Sequence, residues 1–362
     1  MKQESRQWGL DITRIIATYG IVWIHSGGYA PTEALPNLVT DCFRFALPFF
    51  LAVSFYLLSN PKKESSLSKI IFSRWNRLMI PYLIWSLIYV TSRLIKGLIT
   101  SKSDLINLFQ DPFSFVFYGA SAVHLYFLPL LFIGNIFAVS IKKITTNFKT
   151  SSILFFISLI IYNLILQFNT NFSLKWIKFY DVFYSIQTSN LQALLKFFLI
   201  YGWFVIVCLP YIFFGRMIHT YPYNHIFNVK ITKYSYILLI VCFLFVITFG
   251  KALFPVLLNE PIFGCMLLLI SLNFSLPPSS YLTKNIILNL SEASFGIYLL
   301  HHLIINFFQL LAYKIYPSFM NHISIYSQLL FSISGFLVSW VIINIFNMQK
   351  SSYLSKNVND SN

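Results

Sequence analysis

The chain has 362 residues, of which 57% are hydrophobic and only 10% charged, with a mean hydropathy of +0.69. That balance lies outside the range of soluble domains of this length and points to a polytopic membrane protein. The formal charge of +15 comes from scattered bases, not from a basic patch on a soluble fold, so nucleic acid is excluded as a partner.

The expected fold is all-α, a transmembrane helical bundle of about ten helices set by apolar runs of spanning length. The first span, 9–28, holds LDITRIIATYGIVWIHSG and carries Asp11, Arg14 and His25 inside it. Arg14 and His25 are about 1100° apart on an ideal helix, roughly 20° after whole turns, so they share a face, separated axially by roughly 16 Å. Asp11 and Thr18 fall on the same stripe, which makes one polar seam. Ionisable groups at such depth cost several kcal/mol unless they face protein or water, and so mark functional sites by default. The plainer alternative is an Asp11–Arg14 ion pair near the inner interface, with His25 reaching outward.

The second span, 43–59, contains ALPFFLAVSFYLL, and the third, 78–95, is introduced by FSRWNRLMIPY. Arg74 and Arg77 stand at i and i+3, on one face of a helical turn, where two guanidinium forks can grip phosphate. Positive-inside anchoring explains the same pair. The fourth span, 123–140, begins with AVHLYFLPLL and holds His124. Further spans lie at 152–167, 197–215 (ending in YIFFGR), 235–250 and 255–274. The run 286–310 includes SEASFGIYLLHHLII, with Glu292, Tyr298, His301 and His302, and the last span is 325–347. A packed, hydrogen-bonded role is the ordinary reading of a lone intramembrane histidine.

Lys62, Lys63, Lys69, Arg74 and Arg77 precede the third span and Lys142, Lys143 and Lys149 follow the fourth, while Glu33, Asp41, Asp104, Asp111, Asp181 and Glu260 fall in the opposite loops. The positive-inside rule therefore places both termini in the cytoplasm, with a basic inner surface that suits anionic lipids and phosphate-bearing ligands. Residues 1–348 form the membrane domain and 349–362, ending SSYLSKNVNDSN, read as a short disordered cytoplasmic tail. Cys42, Cys208, Cys242 and Cys265 show no metal-ligand spacing and read as buried thiols.

Taken in order, LDITRIIATYGIVWIHSG with its Arg-x10-His spacing, ALPFFLAVSFYLL, FSRWNRLMIPY with Arg-x2-Arg, VHLYFLPLL, YIFFGR and LSEASFGIYLLHH make the chain resemble the acyltransferase-3 family of integral-membrane O-acyltransferases, which modify bacterial surface polysaccharides. The resemblance runs from Arg6 to about Phe346. It departs from the family in two places: Phe55 follows Ser54 where the family carries glycine, and Tyr126 follows His124 and Leu125 where it carries tryptophan. Loss of that glycine puts close helix approach at the second span in doubt.

The resemblance implies an acyl-coenzyme A donor, most often acetyl-coenzyme A, approaching from the cytoplasm, with Arg14, Arg74 and Arg77 on its phosphates and no metal. His25 would then take the proton from an acceptor hydroxyl or carry the acyl group itself. Asp11 would position Arg14, with His124, Glu292, Tyr298 and His301 in support. The acceptor would be a surface glycan or its lipid-linked precursor, and the location the bacterial inner membrane. A polysaccharide exporter, its passage lined by the same seam, and a purely structural membrane subunit are the readings set against it.

Overall fold

The structure, a computed structural model, describes residues 6–27, 34–60, 67–100, 114–119, 121–171, 190–221, 233–253, 258–274, 280–315 and 324–359. Glu33, Lys62, Lys63, Asp104, Asp111 and Asp181, which help to orient the chain, lie outside these residues. Every regular element among the described residues is helical. They are α1 (Trp8–Ser26), α2 (Ala34–Phe43), α3 (Ala46–Leu58), α4 (Leu67–Arg74), a π-helical turn (Trp75–Met79), α5 (Ile80–Thr100), a second π turn (Ser114–Tyr118) and a 3-10 turn (Val123–Tyr126). There follow α6 (Phe127–Ser140), α7 (Phe148–Asn171), α8 (Asn190–Thr220), α9 (Lys233–Leu253), α10 (Asn259–Asn273), α11 (Tyr281–Ile315) and α12 (Ile325–Asn359).

Helices dominate because the backbone of a lipid-embedded segment must satisfy its own polar groups. Val39–Leu58, Leu67–Ile95, Val123–Ser140, Ile200–Thr220, Tyr281–Ile315 and Ile325–Gln349 are long and apolar enough to cross a membrane. Phe148–Leu164, Tyr236–Phe249 and Asn259–Asn273 are shorter apolar helices at three further expected spans. α1 is long enough, but Asp11, Arg14 and His25 dilute its apolar character. The outward face of α12 is lipid-like: Leu330, Ile333, Leu337, Val341 and Ile345 are exposed, whereas Gln328, Ser332 and Ser339 are buried. A soluble helix has the opposite arrangement. The protein is an all-α, multi-pass membrane bundle.

The described chain divides into two compact units. Unit 1 comprises Met1–Phe50, Lys230–Thr248 and Met266–Asn362; unit 2 comprises Leu51–Val229 and Phe249–Cys265. In unit 1, α1 packs against α2, α11 and α12. Its core joins Val22, Ala293, Ile297, Ile305 and Phe336, with Tyr19, Trp340 and Ile343 packed against them. Ala293 and Ile297, one turn apart, put the same face of α11 toward α1 and α12.

In unit 2, α8 packs along α6 and α7, and α4 with the π turn packs on α6. Here the structure corrects the expectation drawn from Phe55. The side chain is fully buried, and the room it needs is supplied by its neighbours. A Cβ on Gly134 would lie 2.6 Å from Phe55 Cζ, and one on Gly215 would lie 2.9 Å from the Phe55 carbonyl. Close helix approach is thus kept, with the small residues placed on α6 and α8 and not on α3.

The tail differs from expectation too. α12 runs on to Asn359, because nothing between Gln349 and Asn359 is Gly or Pro and extending an established helix is cheap once it is nucleated.

Candidate active site

The polar seam of the first span belongs to unit 1. Asp11 sits in the first turn of α1, where a carboxylate favours the helix dipole, and is buried. Its Oδ2 accepts from Arg6 Nε at 2.7 Å and its Oδ1 accepts from the Ser291 hydroxyl at 2.6 Å. Arg14 Nη1 lies 3.5 Å from the same Oδ1 and donates to Ser291 Oγ at 3.2 Å. Ser291 thus bridges the pair: its hydroxyl donates to the carboxylate while accepting from the guanidinium. Asp11 does lie beside Arg14, but its shortest charged contact is Arg6, a residue that spacing alone does not mark.

Glu292 is exposed and reaches Arg6 Nη2 at 3.7 Å, which places it at the Asp11 end of α11. His301 lies about 14 Å further along the same helix. Thr18, the other member of the stripe, donates its hydroxyl to the Arg14 carbonyl at 2.8 Å and holds the backbone of that turn.

His25 occupies the last turn of α1, whose carbonyls have no partner within the helix. Two glutamines supply them. Gln328 Nε2 of α12 donates to the Trp23 carbonyl at 3.2 Å, and Gln309 Nε2 of α11 donates to the Ser26 carbonyl at 3.2 Å. The turn that presents His25 is therefore pinned to both neighbouring helices. Neither glutamine belongs to a motif; the only signal was an amide inside an apolar run.

Around the imidazole stand two further histidines. The His25 ring centroid is 5.4 Å from that of His301 and 5.5 Å from that of His302. His301 is fully buried, and its Nδ1–H donates to the Ile297 carbonyl at 3.2 Å. Asn306 Nδ2 donates to His302 Nδ1 at 2.9 Å. Tyr298, also buried, has its ring 6.2 Å from that of His301. The structure thus brings His25, His301 and Tyr298 together and adds His302, while Asp11, Arg14 and Glu292 form a separate charged cluster at the other end of α1.

Arg74, Arg77 and His124 lie in unit 2. Arg74 ends α4 half-buried, and Arg77 is exposed within the π turn, where the Ile80 N–H bonds back to the Trp75 carbonyl. The uniform phasing expected between the two arginines is therefore interrupted by a wider turn, a feature that recurs at functional sites. Trp75, from the same turn, meets Phe132 of α6 edge-on at 5.7 Å. His124 is buried in the 3-10 turn before α6, with its ring 5.2 Å from Tyr89 and nearly perpendicular to it.

Two polar residues of this unit were not singled out by the sequence reading although their signal was present. Arg216 closes the YIFFGR motif and is buried near the end of α8. His219, in the same turn, stacks on Tyr56 at 4.6 Å. Among the described residues no group of three His, Cys, Asp or Glu side chains could hold a metal ion.

No curated protein and no solved structure matches the chain. A family model does: the acyltransferase-3 family, described as an acyltransferase domain, matches residues 7–344. The match takes in the seam, the Arg-x2-Arg segment and the His301 cluster alike, and the chain belongs to the acyltransferase-3 family of membrane acyltransferases.

Proposed function

We propose that this protein is a membrane O-acyltransferase that moves an acyl group, most simply acetyl, from cytoplasmic acyl-coenzyme A to a hydroxyl of a surface glycan or its lipid-linked precursor in a bacterial inner membrane. The observation that carries the reading is the arrangement on α1. A cation cluster at Arg14 and a histidine at His25 share one helix, roughly 16 Å apart along its axis. A donor with phosphates at one end of a long arm and a thioester at the other matches that separation.

In this mechanism Arg14, Arg74 and Arg77 bind the phosphates, the guanidinium fork being suited to paired phosphate oxygens. His25 accepts the proton of the acceptor hydroxyl as its oxygen forms the ester bond and the carbon–sulfur bond breaks. The proton then passes to the departing thiolate to give free coenzyme A. A general base of this kind contributes about 10²- to 10⁴-fold. The alternative, an acyl-histidine formed first and then attacked by the hydroxyl, uses the same residue as nucleophile. His301, Tyr298 and His302 surround the imidazole and support its orientation, and His124 and Glu292 are assigned supporting roles.

The deciding experiment supplies purified protein with labelled acetyl-coenzyme A and a glycan acceptor. Labelled glycan is the expected product. Glycan movement across proteoliposomes with no labelled ester would point instead to an exporter.

A further inference from the structure

We propose that Arg216 is a phosphate-binding residue at the end of unit 2 where α8 terminates, and this inference deepens the donor-binding reading given above. Arg216 is only 5% exposed. Its Nη2 donates to the Ala138 carbonyl at a long 3.5 Å, and its buried Nε has no acceptor. A guanidinium does not lose its proton at such a site, so the charge stays. A buried, uncompensated charge is strongly destabilising and calls for an anion.

The described residues of unit 2 do not provide that anion. Their carboxylate is Glu260, which accepts from the Tyr162 hydroxyl at 3.1 Å. Tyr162 lies well along α7 from Phe148, about 21 Å by helical rise. Phe148 itself meets Tyr221, just past the turn that carries Arg216, ring to ring at 4.7 Å. Glu260 is thus remote from Arg216.

The groups that do share this end are cationic or aromatic. Lys142 and Lys143 follow α6, Lys149 opens α7, and His219 donates Nε2–H to the Tyr56 carbonyl at 2.9 Å while stacking on the Tyr56 ring. The close approach of Gly215 to the Phe55 backbone seats the last turn of α8 deep enough to bury the arginine. Charge distribution assigns this end to the cytoplasm, where the abundant ligands with several charged oxygens are phosphates, carried by a nucleotide-bearing donor or by a lipid headgroup. A plainer role, a cation capping the last carbonyls of α6, uses one donor and leaves Nε unexplained.

The test uses the full chain purified in maltoside detergent, with Arg216→Met and Arg216→Lys. Coenzyme A binding is measured by calorimetry, and phosphatidic acid retention by native mass spectrometry after reconstitution in nanodiscs. Arg216→Met should weaken binding of the phosphate-bearing probe about 10- to 100-fold, the loss of a charge-assisted hydrogen bond, while Tm stays level or rises because a buried charge is gone. Arg216→Lys should also weaken it, since the charge remains but the fork does not. If phosphatidic acid retention falls and coenzyme A binding does not, or if the wild type binds no coenzyme A at all, the phosphate site stands with a lipid as its source. In the second of these cases the donor reading fails separately. Wild-type affinity of Arg216→Lys for both probes overturns the proposal, as does an Arg216→Met protein with lowered Tm and unchanged binding.

Discussion

Ser291 and Asp11, 280 positions apart in sequence, meet at 2.6 Å between the hydroxyl and the buried carboxylate. The contact joins the start of α1 to the middle of α11 and leaves the Ser291 oxygen in place to accept from Arg14. A single hydroxyl therefore fixes both the helix pair and the bearing of the guanidinium.

Replacing it tests that double role. Ser291→Ala should destabilise the protein by about 1–3 kcal/mol, the usual cost of a buried polar group losing its partner. Donor KM should rise as well, since Arg14 loses its positioning contact. Thermal unfolding and acyl-transfer kinetics on one preparation separate the two effects; a drop in Tm with donor KM unchanged would remove Arg14 from the donor site.

His25→Gln should abolish acyl transfer, about 10²- to 10⁴-fold, while expression and coenzyme A binding persist. Glutamine can still donate and accept hydrogen bonds but cannot take up a proton at neutral pH. Substantial transfer in a single-turnover assay would return His25 to a packing role. Loss of turnover leaves base and nucleophile to be separated by trapping an acyl-enzyme.

Gln328→Met keeps the volume of the side chain and removes the bond to the Trp23 carbonyl. Because that bond holds the turn bearing His25, kcat should fall about 10-fold or more with donor KM unchanged, the pattern of lost positioning at the reacting centre. A parallel rise in KM and fall in kcat would indicate general loosening of α1 instead.

Arg74→Lys and Arg77→Lys preserve charge and the topology signal but lose the planar fork. Donor KM should rise in both with normal insertion. Wild-type KM in both variants would leave the pair as membrane anchors.

Gly215→Ala places a methyl 2.9 Å from the Phe55 backbone, which a flexible side chain cannot relieve because the obstructing atoms belong to the helix itself. Tm should fall by several degrees, and the double variant Gly215→Ala with Phe55→Ala should recover little, since the clash is with backbone and not with the ring.

Helix existence and the membrane setting were legible in the sequence because both rest on local composition and on run length. The seam was legible too, since Asp11, Arg14 and His25 lie on one helix whose phase is fixed. What could not be read were partners drawn from distant helices: Ser291 against Asp11, Gln309 and Gln328 on the last turn of α1, and His302 beside His25. Phe55 shows the same limit from the other side. Its missing glycine looked like a lost helix contact, and only the structure places Gly134 and Gly215 where they compensate. Arg216 lay in a recognised motif, yet nothing local distinguishes a buried arginine from one at an interface.

The π turn at Trp75–Met79 gives the segment an exact length as well as a composition. Beyond it, Tyr82, Ser86 and Tyr89 are buried while Leu83, Leu87 and Ile88 are exposed. Deleting one residue from the wide turn would rotate all of α5 by about 100°, carrying the tyrosines into lipid and the leucines inward. Homologous segments aligned to this one should therefore tolerate exchange of Asn76 far more readily than its loss, and a grafted helix must bring its own extra residue to stay in register.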